Sequence, residues 1–197
     1  FTHRNVVELF GVVTRNQQCM VVLEMCSMGS LDGLLRREAL QPAHAEHIQP
    51  NTVLEIARDV AAGMVYLSDR RFVHRDISSR NILMDHQNTC KVSDFGLSRL
   101  LANSKQYYYL AVASKTPFPL RWSAPEVLSP GKFSVFSDVW SFGVLMYEVL
   151  SRATNPFPTC SNAKVIAVLS SHDVSAQMRD WLPLPFVAAT TIYEQLV

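Results

Sequence analysis

The chain has 197 residues, of which 48% are hydrophobic and 18% charged, with a formal net charge of +1. That length supports one domain with a substantial core, and the composition excludes global disorder. The near-zero charge excludes a large uniform field directed at nucleic acid or a membrane surface, so no nucleic-acid partner is expected.

In chain order, Val6 to Val13 and Cys19 to Leu23 are β-rich runs around the polar turn 14–18, which reads as a hairpin. The chain loosens at Ser27-Met28-Gly29, and Ser30 is placed to cap a short helix running to Arg37. A polar loop from Glu38 to Pro50 follows. Thr52-Val53-Leu54-Glu55 has the pattern of a capping box, in which Thr and Glu side chains satisfy orphan backbone donors. Val53, Ile56, Ala57, Val60, Met64 and Leu67 then recur at helical spacing, predicting a core-facing stripe. Phe72-Val73, Ile82 to Met84 and Cys90 to Val92 read as short strands around a tight loop. The stretch from Ser98 to Ser123 has no periodicity, which usually marks a functional loop. Ser137 to Ser151 is apolar on almost every side and predicts a helix buried in the centre of the domain. A further helix is expected to start at Ala163.

Cys19, Cys26, Cys90 and Cys160 form no CxxC pair and are expected as reduced thiols in or near the core. His44 and His47 lie on a Pro-bracketed polar stretch without a third ligand and read as loop histidines. Val139 to Leu150 is the longest apolar stretch. It is interrupted by Ser141, Gly143 and Glu148 and falls short of the roughly 20 residues of a membrane span. Phe1-Thr2-His3-Arg4 lacks an initiator Met, a basic head and an apolar run, so no signal peptide is visible and a fragment is expected.

The chemistry-bearing stretch is His74-Arg75-Asp76-Ile77-Ser78-Ser79-Arg80-Asn81, then Asp94-Phe95-Gly96, Ala124-Pro125-Glu126 and Asp138-Val139-Trp140-Ser141-Phe142-Gly143. Each tripeptide alone is weak, but their order and spacing resemble the protein-kinase signature set. The resemblance implies an α+β, two-lobed protein-kinase fold with a truncated N-lobe and a mainly helical C-lobe. It divides the chain into a small-lobe remnant (1–25), a large lobe (26–169) and a divergent or truncated tail (170–197).

What the resemblance implies for the site follows the logic of phosphoryl transfer, in which the protein positions reactants and neutralises charge. Asp76 matches the aspartate that orients the incoming hydroxyl and accepts its proton. Asn81 and Asp94 match the ligands of Mg²⁺, a hard cation suited to carboxylate and amide oxygens. Arg80, four positions after Asp76, resembles the tyrosine-kinase arrangement, as does Pro119-Leu120-Arg121-Trp122. Ser78-Ser79 stand where the family more often has Ala-Ala, so altered hydrogen bonding is expected there. Leu23 matches the gatekeeper. Backbone groups of Glu24 and Cys26 match the adenine contacts, and Leu83 the apolar floor under the ring. Tyr107, Tyr108 and Tyr109 resemble autophosphorylation sites, whose phosphate would pair with Arg75. Glu126 would pair with a late Arg, and Asp138 would cap the catalytic-loop backbone.

ATP, Mg²⁺ and tyrosine-bearing proteins are the implied cofactors and partners. Tyr66 to His74 most resembles receptor tyrosine kinases of the insulin-receptor group. A receptor would sit in the plasma membrane through a segment not in this chain; a non-receptor kinase would be cytoplasmic. The Gly-rich loop, the phosphate-anchoring Lys and its Glu partner are absent from these residues, so the 197-residue chain alone is expected to be inactive. Two other readings stay open: a pseudokinase-like scaffold, and a serine/threonine or dual-specificity kinase.

Overall fold

A computed structural model of the chain describes residues 1–15, 18–40, 50–101, 109–110 and 118–170. His44, His47, Tyr107, Tyr108 and the tail from 171 lie outside the described residues. The architecture is α+β, with small antiparallel sheets and a mainly helical remainder.

Two strands, β1 (Leu9–Arg15) and β2 (Gln18–Leu23), form the expected hairpin in antiparallel register, with a bulge between Leu9 and Gly11. The first strand starts later than the apolar pattern suggests. Val6 is instead drawn into the core, bridging Val92 in parallel, and Val7 N donates to Val92 O at 2.9 Å. The hairpin keeps much apolar surface exposed, Phe10 at 65% among it, because a lone two-stranded ribbon has little to bury itself against.

Next come β3 (Gly29–Ser30) and α1 (Leu31–Leu40), with Ser30 Oγ accepting from Gly33 N at 3.2 Å as a cap. The helix runs past Arg37, so Glu38 is helical rather than loop. Helix α2 (Pro50–Asp69) begins two residues before Thr52, which lies within the first turn and not ahead of it. Pro at a helix start is favoured because its φ is already helical and its missing N–H has no partner to lose. The predicted stripe faces the core, with Val53, Ile56, Val60 and Leu67 buried and Ala57 and Met64 half-buried. At Gly63 the helix comes so close to the N-terminal segment that a Cβ would overlap the Asn5 carbonyl oxygen.

The strands β4 (Phe72–Val73), β5 (Ile82–Met84) and β6 (Cys90–Val92) fall where expected. β3, β5 and β6 make a three-stranded sheet, while β4 pairs with β7 (Arg99–Leu100). Beyond it lie β8 (Tyr109–Leu110), α3 (Pro125–Leu128) and β9 (Lys132–Phe133), with β8 and β9 paired antiparallel. The segment 98–123 therefore contains short regular pieces, including a 3₁₀ turn over Leu120–Trp122.

Helix α4 (Val135–Leu150) is capped by Ser134 and Ser137 reciprocally, and α5 (Asn162–Leu169) by Ser161. The expectation of uniform burial for α4 needs correcting. Its inward face includes Ser137, Asp138, Ser141 and Glu148, whereas Phe136 is 78% and Val139 54% exposed. Val139 and Phe142 instead line an apolar groove of about 450 Å³ with Met64 and Val65 of α2. The main core gathers Leu31, Leu35, Ile56, Ile77, Ile82 and Leu145 from α1, α2, the 74–81 loop, β5 and α4. All four cysteines are free, but Cys19 is exposed on the hairpin rather than near the core. No helix among the described residues is long and apolar enough to cross a membrane.

Candidate active site

The 74–81 loop is held from beneath by a buried carboxylate. Asp138, in the first turn of α4, accepts His74 N through Oδ2 at 2.7 Å and Arg75 N through Oδ1 at 2.9 Å. These bonds secure Arg75 at φ 72°, in the left-handed region that side-chain-bearing residues avoid. Burial pushes the Asp138 carboxyl up to about 6, although both N–H bonds pull the other way. His74 is buried, and its Nε2 lies 2.9 Å from the Ser93 carbonyl, an acceptor only, so Nε2 carries the proton. Nδ1 then accepts from Asp76 N at 3.3 Å. Burial lowers the ring's pKa, which keeps it neutral.

Asn81 and Asp94 stand at the same end of one hairpin because β5 and β6 pair directly. Ile82 faces Val92, and the Asn81 carbonyl accepts from both Ser93 N and Ser93 Oγ, at 2.9 and 2.8 Å. Asn81 Nδ2 donates to the Asp76 carbonyl at 2.8 Å, which turns the amide and leaves its Oδ1 without a protein partner among the described residues. Asp94 stands at φ 58°, and its Oδ1 accepts from Gly96 N at 3.1 Å while its Oδ2 has no partner among the described residues. An amide oxygen and a carboxylate oxygen are thus free at one end of the β5–β6 hairpin. No cluster of three or more His, Cys, Asp or Glu is gathered for a metal among the described residues. The donors fit a hard divalent cation that keeps most of its waters and takes only one or two protein oxygens.

Arg80 is paired with one oxygen of Asp76, and its guanidinium lies over the Trp122 ring, 4.7 Å from the centroid. A cation therefore bridges the carboxylate and an aromatic shelf. Ser79 and Ser78 part company: Ser79 Oγ donates to Glu148 at 2.6 Å, whereas the buried Ser78 Oγ has no partner among the described residues.

At the chain crossing after β2, Glu24 N is already committed to the Glu8 carbonyl at 2.9 Å. The Cys26 carbonyl likewise accepts from Gly29 N at 3.1 Å, which leaves the Glu24 carbonyl and Cys26 N without a partner among the described residues. Lys91 pairs with Glu24 at 2.8 Å and ties this segment to β6. Leu83, half-buried in β5, lies between Ser30 and Lys91 in the sheet. Burial, then Glu24, pushes the Cys26 thiol up.

Arg75 is largely buried, stacked 4.1 Å from the Phe133 ring centroid, and donates to the Leu97 carbonyl at 3.1 Å. Tyr109 pairs through its backbone with that same Phe133. Glu126 has no salt bridge among the described residues.

Three functional supports escaped the sequence reading. Glu148 accepts from Ser79 N, Ser79 Oγ and Trp122 Nε1. Its signal was present, since an acid in a largely apolar helix must find partners if it is buried. Arg121 donates to the carbonyls of Pro156, Phe157 and Cys160 at 2.7 to 2.8 Å and to Asn162 Oδ1 at 3.0 Å, clamping the turn before α5. The Lys91–Glu24 pair joins segments far apart in sequence and leaves no local pattern.

A family model described as protein tyrosine and serine/threonine kinase matches residues 1–183. Among curated relatives, human Ephrin type-A receptor 8 is 44% identical over 167 residues, covering 85% of this chain and 16% of the receptor. Ephrin type-B receptor 3 of Xenopus laevis is 43% identical over 166 residues, covering 84% and 16%. Ephrin type-A receptor 8 of Rattus norvegicus is 44% identical over 170 residues, covering 85% and 43%. The chain thus spans less than half the length of these relatives. They are ephrin receptors, so the finer likeness to the insulin-receptor group gains no support from them.

Proposed function

Because the chain belongs to the protein tyrosine and serine/threonine kinase family, we propose that it forms the catalytic part of a protein-tyrosine kinase, which transfers the γ-phosphate of ATP to tyrosine hydroxyls of proteins. In this reading residues 1–25 end the small lobe and 26–169 form the large lobe, with the tail apart. The observation that carries it is the placement of Asn81 and Asp94 at one end of the β5–β6 hairpin, with Asn81 bonded to the Asp76 backbone and one oxygen of each of the two left open among the described residues.

Each residue's part follows from its bonds. Asp76 has one oxygen held by Arg80, which leaves the other to accept the proton of an incoming hydroxyl. Arg80 stands between that carboxylate and Trp122, where its charge can meet the transferred phosphate. Asn81 Oδ1 and Asp94 Oδ2 would hold Mg²⁺, which when bound neutralises charge on the phosphates. The Glu24 carbonyl and Cys26 N–H would take the adenine edge, over Leu83. The Arg80–Trp122 stack supports tyrosine as acceptor, because a flat aromatic platform suits a phenol ring. Phosphate on Tyr107, Tyr108 or Tyr109 would act through Arg75, beside the strand that Tyr109 occupies. The relatives' names say receptor, which supports a plasma-membrane location for the whole protein.

Peptides differing only in a Tyr, Ser or Thr acceptor, incubated with full-length protein, ATP and Mg²⁺, test the reading. Label on the Tyr peptide alone is expected. Equal label on Ser or Thr peptides would move the assignment to the broader-specificity alternative. No transfer and no nucleotide binding would leave the scaffold reading.

A further inference from the structure

Glu148 is the least expected charge in the molecule: a carboxylate 4% exposed on a helix otherwise rich in apolar side chains. It stays there because three donors converge on it. Ser79 N and Trp122 Nε1 reach Oε2 at 2.9 and 2.8 Å, and Ser79 Oγ reaches Oε1 at 2.6 Å. Burial pushes its pKa up, and the bonds from Ser79 and Trp122 oppose that push. Of the three donors, only the Ser79 hydroxyl addresses Oε1. Without it Oε1 has no donor among the described residues and the carboxylate is held through Oε2 alone, about a last torsion with a broad, shallow preference. Trp122 is otherwise fixed at its backbone, where its carbonyl accepts from Ser141 Oγ at 2.8 Å. The tilt of its indole therefore depends on Glu148. Arg80, stacked on that indole and bound to Asp76, links the tilt to the carboxylate proposed to receive the acceptor's proton.

We propose that the Ser79 hydroxyl is a positioning group for the phosphoacceptor: by fixing the Glu148 carboxylate it sets the Trp122 indole, and with it the surface on which the acceptor ring is presented to Asp76. The proposal rests on the kinase reading above, and it adds a residue that touches neither nucleotide nor acceptor. The Ser79 backbone bond to Glu148 survives any side-chain change, so Ser79→Ala removes one donor and little else.

The experiment compares wild type and Ser79→Ala in the full-length protein. Steady-state kinetics are run with a tyrosine peptide and ATP, alongside nitrogen-15 spectra of the indole N–H groups, with Trp122 assigned through Trp122→Phe. The expected result is a peptide KM raised about three- to tenfold, the scale of one ordinary net hydrogen bond passed on indirectly to the acceptor. KM for ATP and kcat should stay within about twofold, and the Trp122 indole resonance should shift. An unmoved resonance with unchanged peptide KM would overturn the proposal. So would a parallel loss in kcat and both KM values, which would mark Ser79 as a general support. If wild type phosphorylates no tyrosine peptide, the kinase reading itself fails; the indole resonance, readable without activity, then decides the Ser79–Glu148–Trp122 coupling alone.

Discussion

Replacing Asp138 by Asn should erase a specific part of the protein's pH-dependent stability. Asp138 is 6% exposed and accepts two backbone N–H groups, and its carboxyl is pushed from 3.8 up to about 6 in the folded state. The folded protein therefore holds a proton that the unfolded chain has already released between those two values. Stability is lost as pH rises through this window: the contribution is fully present below about pH 4 and gone above about pH 6. Two pH units correspond to about 3 kcal/mol, a large share of a typical domain's total stability. Asn cannot ionise, so the variant lacks this slope while keeping one acceptor for the loop. The measurement is urea denaturation followed by circular dichroism from pH 4 to 7 on both proteins. Glu148 titrates in both, so the difference between the two curves isolates Asp138. That difference should change by about 3 kcal/mol across the window, with wild type losing ground as pH rises. Parallel curves would refute the reasoning and mean that the two N–H bonds fully offset the cost of burial.

Gly63→Ala should destabilise the protein by about 2 kcal/mol or more in the same denaturation assay, despite the gain of about 1 kcal/mol that Ala brings to a helix interior. The new Cβ overlaps the Asn5 carbonyl, which must keep its bond from Val92 N at 2.9 Å; unchanged stability would show that the N-terminal segment yields freely. In thiol labelling at pH 8, exposed Cys19 should react in the native protein. Cys90, whose thiol burial pushes up to about 12, should react only after denaturant is added, so rapid native labelling of Cys90 would count against its burial.

Local chemistry explains what was legible in the sequence. The strands 72–73, 82–84 and 90–92 were legible because turn residues bracket short apolar runs, and α5 because its apolar pattern begins near Ala163, one residue after the start that Ser161 caps. Asp76, Asn81 and Asp94 stood out by spacing, and the β5–β6 pairing accounts for that spacing by bringing Asn81 against Ser93. The start of α2 was misjudged because Thr52 and Glu55 imitate a cap two residues inside a helix that Pro50 already opens. The cap that Asp138 places on the 74–81 loop was expected from the kinase resemblance and is present, whereas the identity of Glu148's partners, 26 and 69 residues away, leaves no local pattern. Separations of 16 and 67 residues hid the commitment of Glu24 to Glu8 and Lys91, which narrows the expected adenine contacts at that residue to its carbonyl.

The most direct measurement is titration of full-length wild type, Asp94→Asn and Asp76→Asn with a non-hydrolysable ATP analogue, with and without Mg²⁺. Mg²⁺ should tighten binding to wild type by about tenfold or more and do so equally for Asp76→Asn, which loses phosphotransfer but not the cation, while Asp94→Asn should lose the Mg²⁺ effect. Identical Mg²⁺ dependence in wild type and Asp94→Asn would contradict the assignment of the open oxygens beside Asp76 to the metal.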